Sequence, residues 1–194
     1  MPIVPDVKNW TWVLERACPE CGFDTAATTY EQVPALARAS ADRLRAALER
    51  PDARRRPDES TWSPLEYAAH VRDVCWIFAY RAAVIARTAA VDPRVPAFDA
   101  RGLTPEETAD GLPAFSDWDQ DATAIAARYD AQETGAVSGE LALAAEAAAR
   151  AFEAVAVADR GAQARRGDGS VFTVDSLAKY FVHDLVHHVH DVRG

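Results

Sequence analysis

The sequence predicts an all-α protein: a four-helix bundle with extra short helices and an ordered N-terminal arm. Three observations lead there. Ala is abundant and Gly sparse, a composition that favours helix. Apolar residues recur at three- and four-residue spacing in four long stretches. Capping signatures stand where those stretches begin. With 194 residues, 49% hydrophobic and 26% charged, the chain is expected to fold as one globular domain spanning 1–194.

Residues 1–27 lack helical periodicity and carry Trp10, Trp12, Cys18, Pro19, Cys21 and Gly22, so they read as an arm that lays two tryptophans on the body. A first helix is expected from about Tyr30 to Leu48, with Leu36, Ala39, Leu44 and Leu48 among its apolar positions and Pro34 tolerable only in the first turn. Asp52 to Glu59 is polar and contains Arg and Pro, hence a loop. Ser63-Pro64-Leu65-Glu66 is a capping box with Pro at the first helical position. The helix it opens runs to about Ala89, and Tyr67, His70, Val71, Val74, Ile77, Phe78 and Arg81 form its inward stripe. Thr104-Pro105-Glu106-Glu107 is a second box, for a short helix closed by Gly111. Ser116-Asp117-Trp118-Asp119 starts a helix reaching about Gln132. A Gly/Ser break at Gly135 to Gly139 precedes an Ala-rich helix from Glu140 to about Ala158. Gly167-Asp168-Gly169-Ser170 is a tight turn. Thr173 caps the last helix, Val174 to Val192, whose inward stripe includes Leu177, Tyr180, His183, His187 and His190.

Four of the five histidines fall in that last helix; the fifth is His70. His183 and His187 are one turn apart on one face, while His188 points roughly 100° away at about 3.6 residues per turn. Such a pair supplies two ligands to one ion, and a second helix can supply a third. Three ligands with open positions describe a working metal centre. Satisfied core histidines are the plainer alternative, and spacing alone leaves both open, although burying several imidazoles without a shared partner costs desolvation at each. Asp73, Asp184 and Asp191 stand near the histidines in sequence and could orient them, but a solvated helix edge is the simpler reading. His190 reads as a substrate-side acid/base or, the favoured reading, as a core histidine. Cys18-x-x-Cys21 is half of a zinc knuckle with no second pair, and a packed turn is the favoured reading over reactive thiols. Arg54, Arg55 and Arg56, and Arg165 and Arg166, read as solvated loops or as a clamp for a substrate carboxylate.

Trp62-Ser63-Pro64-Leu65-Glu66-Tyr67-Ala68-Ala69-His70, the run from Asp168 to Leu177, and His183-Asp184-Leu185-Val186-His187-His188 follow in an order and separation that resembles the DinB superfamily. The closer likeness is to its actinobacterial branch, related to the N-terminal domain of mycothiol-dependent maleylpyruvate isomerases, and it extends to Cys18-Pro19-Glu20-Cys21-Gly22-Phe23-Asp24. The resemblance implies a four-helix bundle holding a divalent metal on His70, His183 and His187. It further implies an S-transferase or isomerase that uses mycothiol or a similar thiol as cosubstrate, with the thiol and an electrophile as small-molecule partners. Zn, Ni and Fe all accept imidazole. A non-catalytic metal-binding or stress-response protein and a metal-assisted hydrolase are the alternatives.

The net charge of −9 argues against a phosphate-backbone partner. No apolar run approaches the roughly 20 residues that span a bilayer, and Met1-Pro2-Ile3-Val4-Pro5-Asp6 lacks signal-peptide character. Three cysteines, an odd and small number, fit a reduced, cytoplasmic protein. Neither nucleic acid nor membrane is expected as a partner, and a homodimer is left open.

Overall fold

The computed structural model describes residues 9–101 and 108–193. The capping box at Thr104 to Glu107 lies outside the described residues. The chain is mostly helical: α1 (Val33–Leu48), α2 (Pro64–Ile85), α3 (Gln120–Ala126), α4 (Thr134–Glu153) and α5 (Val174–Asp191). Helices α1 and α2 each pack against both α4 and α5. Among the described residues no helix is long and apolar enough to cross a membrane.

Helix α1 opens through a 3₁₀ turn, Tyr30–Gln32, where the Thr29 amide donates to Gln32 Oε1 at 2.8 Å. It buries Val33, Ala37, Ala41, Leu44 and Leu48, a stripe of helical period. Helix α2 is apolar on nearly every side, which places it centrally: Leu65, Ala68, Ala69, Val71, Val74, Cys75, Ile77 and Phe78 are all buried. It stops at Ile85, short of the expected Ala89, because Arg87 takes a left-handed backbone (φ 54°) that no helix continues through. At its start the Ser63 hydroxyl accepts from the Glu66 amide, and Glu66 in turn accepts from the Ser63 amide at 2.9 Å. Arg56 Nε reaches the same buried carboxylate at 2.9 Å.

Two expected helices are placed differently. The stretch from Ser116 to Gln132 is helical only over α3, capped by Asp119, whose side chain accepts from the Ala122 amide at 2.8 Å. Arg128, at φ 49°, then interrupts it before a 3₁₀ turn at Tyr129–Ala131. Conversely, Gly135 and Gly139 do not break the chain; both lie within α4. Each costs about 0.5–1 kcal/mol relative to Ala. The helix holds because Val137, Leu141, Ala144, Ala145, Ala148 and Phe152 are buried, and small Ala side chains let α1 and α2 approach closely.

A small sheet, unforeseen in the all-α expectation, completes the fold. β1 (Ala114–Phe115) runs parallel to β2 (Gln163–Arg166), which pairs antiparallel with β3 (Val171–Thr173). Strands of two to four residues carry no readable alternation. The expected turn is the β2–β3 hairpin, with Gly169 at φ +93° and its amide donating to the Arg166 carbonyl at 2.8 Å. β3 leads directly into α5, where Thr173 accepts from the Ser176 amide at 3.0 Å.

The Arg56–Glu66 pair anchors the start of α2. Burial pushes the Glu66 carboxyl up, but Arg56 and the Ser63 groups outweigh that and hold it below the usual range. A depressed folded-state pKa contributes stability that is present above the unfolded value and lost as pH falls. Glu66→Gln is therefore expected to lower unfolding stability at neutral pH by about 1–3 kcal/mol. Denaturant titrations should show the difference from the parent protein shrinking as pH falls through the carboxylate range.

Candidate metal centre

Helix α5 carries the site, and its period explains the arrangement. Two residue pairs at four-residue spacing lie one residue apart: His183 with His187, and Asp184 with His188. A one-residue offset turns the second pair about 100° around the axis. The structure accordingly gathers two groups. His70, Asp184 and His188 offer ligand atoms all within 4.8 Å of one another, and Cys18, Cys21, His183 and His187 do the same separately. His70 is thus not gathered with His183 and His187 as expected; α2 meets the Asp184/His188 face of α5.

His70 is buried and held between indoles, stacked on Trp118 (ring centroids 5.2 Å apart, interplanar angle 4°) and against Trp62 at 5.3 Å. Its Nε2 lies 3.7 Å from Asp184 Oδ1, and its Nδ1 is buried with no hydrogen-bond partner. His188 Nε2 stands 2.9 Å from Asp184 Oδ1, and His188 Nδ1 stands 2.8 Å from Asp191 Oδ2. Asp191 therefore fixes the ring so that Nε2 faces the group. Asp184 and Asp191 are not a solvated edge. Burial alone would raise the Asp184 carboxyl, but His188 and His70 hold it well below the usual range. Burial opposes a charge on His188, yet the two carboxylates raise its pKa to about 9. His70 shifts the other way: burial lowers its pKa, so its ring is neutral and free to bind an ion.

The other face differs in chemistry. Cys18 Sγ lies 3.7 Å from His187 Nδ1, and burial pushes the His183 pKa down to about 4. Trp10 packs on both rings, at 5.8 Å from His183 and 5.1 Å from His187. His190, expected in the core, is instead 55% exposed, because it stands on the outer face of the last turn of α5, where Val189 and, just beyond the helix, Val192 are the residues that pack inward. Asp73, also expected at a solvated edge, is buried; it accepts from the Tyr129 hydroxyl at 2.6 Å and from Arg72 Nε at 2.8 Å.

A cavity of about 290 Å³ opens over Asp184 and His188, walled by Trp10, Trp62, Tyr67 and Tyr180. A second, of about 620 Å³, shares Trp10, Tyr180 and Asp184 with it and is lined by Arg81 and Arg166. Arg81 is buried; its Nη2 donates to the Ser116 carbonyl at 2.9 Å, its Nε has no partner, and no carboxylate pairs with it among the described residues. Burial and the neighbouring Arg166 push its pKa down to about 10, which leaves it charged at neutral pH. The two basic runs divide by role. Arg54 and Arg56 pair with Glu133 and Glu66, and Arg165 with Asp110, whereas Arg166 pairs with Asp168 and lines the cavity.

A family model for the DinB superfamily matches residues 29–192. The chain belongs to the DinB superfamily. No curated protein and no solved structure matches it. Metal-binding proteins occur in this superfamily, and the donor chemistry of this member fits an ion. Two imidazoles and a carboxylate converge, each offering one ligand atom within 4.8 Å of the others.

Reading only His-x-x-x-His as a ligand pair obscured Asp184 and His188, although Asp-x-x-x-His places two donors on a helix face equally well. Asp191 acts on His188 through a hydrogen bond, so Asp191→Asn is expected to weaken divalent-ion binding at the His70 group by about 10–100-fold in calorimetric titration. His190→Ala, at an exposed position, should leave it unchanged.

Proposed function

We propose that this DinB-superfamily member is a divalent-metal-dependent enzyme acting on a low-molecular-weight thiol, of the mycothiol-type S-transferase or isomerase class. The observation that carries this reading is the convergence of His70, Asp184 and His188 beneath an aromatic-walled cavity. Sequence resemblance pointed to His70, His183 and His187; the geometry supports His70, Asp184 and His188 as the exchangeable site. Three protein ligands with open positions describe a catalytic rather than a closed structural centre. Zinc, nickel and iron all fit two imidazoles and a carboxylate.

When bound there, a divalent cation would favour a thiol as its thiolate at neutral pH, supplying the nucleophile without a protein side chain. The chain's own groups do the rest. Asp191 holds His188 in one orientation, and Trp62 and Trp118 hold His70. Tyr67 and Tyr180 wall the cavity and limit water at the reacting atoms. The buried, charged Arg81 in the adjoining cavity suits a carboxylate on the thiol or on the electrophile, because no carboxylate among the described residues pairs with it.

The test is conjugation of model electrophiles by a panel of low-molecular-weight thiols, using full-length protein loaded with zinc, nickel or iron. Turnover should require both thiol and metal, stop on chelation, and fall more than about 10-fold in kcat/KM for Asp184→Asn. Turnover indifferent to chelator and to Asp184→Asn would overturn the proposal. Consumption of the electrophile by water, with no thiol added, would replace it with metal-assisted hydrolysis, which the same donors can support.

A further inference from the structure

The second group on α5 uses none of the residues assigned to the exchangeable site. Cys18, Cys21, His183 and His187 each present one ligand atom, all within 4.8 Å of one another. Two thiols and two imidazoles are the donor set of a closed, tetrahedral zinc site. The spacing also fits: Cys-x-x-Cys comes from a turn, and His-x-x-x-His from a helix. The Cys-x-x-Cys half found in the sequence finds its other half in the last helix of the chain.

Local structure supports the site at every ligand. Residues Cys18 to Phe23 form a tight turn in which the Cys18 amide donates to the Phe23 carbonyl at 2.8 Å and the Gly22 amide to the Cys18 carbonyl at 2.9 Å. Gly22 sits at φ +75°, where a side chain would be strained. This turn directs both sulfurs to one side. Cys18 is 1% exposed, His183 4% and His187 8%, so these three donors are withdrawn from water, and Cys21 is partly buried beside them. Cys18 Sγ and His187 Nδ1 are 3.7 Å apart. Tetrahedral bonds of about 2.3 Å to sulfur and 2.0–2.1 Å to nitrogen set that separation at roughly 3.6 Å. Independently, His183 Nε2 is buried with no hydrogen-bond partner, a donor atom that a bound ion would satisfy. All three cysteines are free thiols.

We infer that Cys18, Cys21, His183 and His187 bind a structural zinc ion that clasps the N-terminal arm to α5. On binding, each thiol releases its proton to solvent and coordinates as thiolate. The clasp fixes Trp10, which packs on His183 and His187 and walls both cavities. The ion thus builds the roof of the exchangeable site without entering it. This inference does not depend on the thiol chemistry proposed above.

Cobalt(II) substitution of the full-length protein tests it. Thiolate-to-cobalt charge-transfer bands in the near ultraviolet are expected, together with the intense visible bands of tetrahedral cobalt. The charge-transfer bands should vanish in the Cys18→Ser/Cys21→Ser double variant and persist in His70→Ala, which keeps all four clasp ligands. A second measurement needs no variant: iodoacetamide should label neither Cys18 nor Cys21 in zinc-loaded protein, and both after chelation, as read by peptide mass. Absence of charge-transfer bands, their loss in His70→Ala, or equal labelling with and without zinc would each overturn the inference.

Discussion

The structure depends on the turn-by-turn geometry of one helix end. Over the last turns of α5, His183, Asp184, His187, His188 and Asp191 all stand at positions that packing shields partly or wholly from water. Desolvating so many polar groups is unfavourable unless each finds a partner. The solution is division by face. Rotation by about 100° per residue separates the donors into two sets, one meeting α2 at His70 and the other meeting the arm at Cys18 and Cys21. Leu177, Ala178, Phe181, Val182, Leu185 and Val189 bury a third face in the core and hold the helix in register.

Two kinds of donor chemistry follow from that division. Imidazoles with a carboxylate, beneath a cavity, suit an ion that keeps open positions; two imidazoles with two thiolates complete a tetrahedral set and suit an ion that only holds structure. Trp10 lies between the two, packed on the second set and lining the cavity above the first. Ordering of the arm and the shape of the pocket are therefore linked through one indole. The two cavities meet along Trp10, Tyr180 and Asp184, so a bound molecule can reach both the ligand group and the Arg81 guanidinium.

Much of this was legible in the sequence, and the exceptions have physical causes. The capping box at Ser63 and the cap residue Thr173 located the starts of α2 and α5, because side-chain to backbone bonds at a helix start are local and leave a local signature. Gly135 to Gly139 misled, since burial along α1 and α2 outweighs the conformational cost of two glycines. The three strands were invisible because they are too short to alternate and exist only by pairing with distant segments. At the site, the pattern identified the helix that carries the clustered histidines. It could not assign them to partners: which face of α5 meets α2 and which meets the arm is set by helix packing, and a one-residue difference moves a side chain by more than a quarter turn. Cys18 and Cys21 looked like half a site because the other half stands at the far end of the chain.

Anomalous scattering at the zinc edge, from crystals of zinc-loaded protein, tests this arrangement most directly. The account predicts two peaks, one among Cys18, Cys21, His183 and His187 and one among His70, Asp184 and His188. A single peak ligated by His70, His183 and His187 would contradict it.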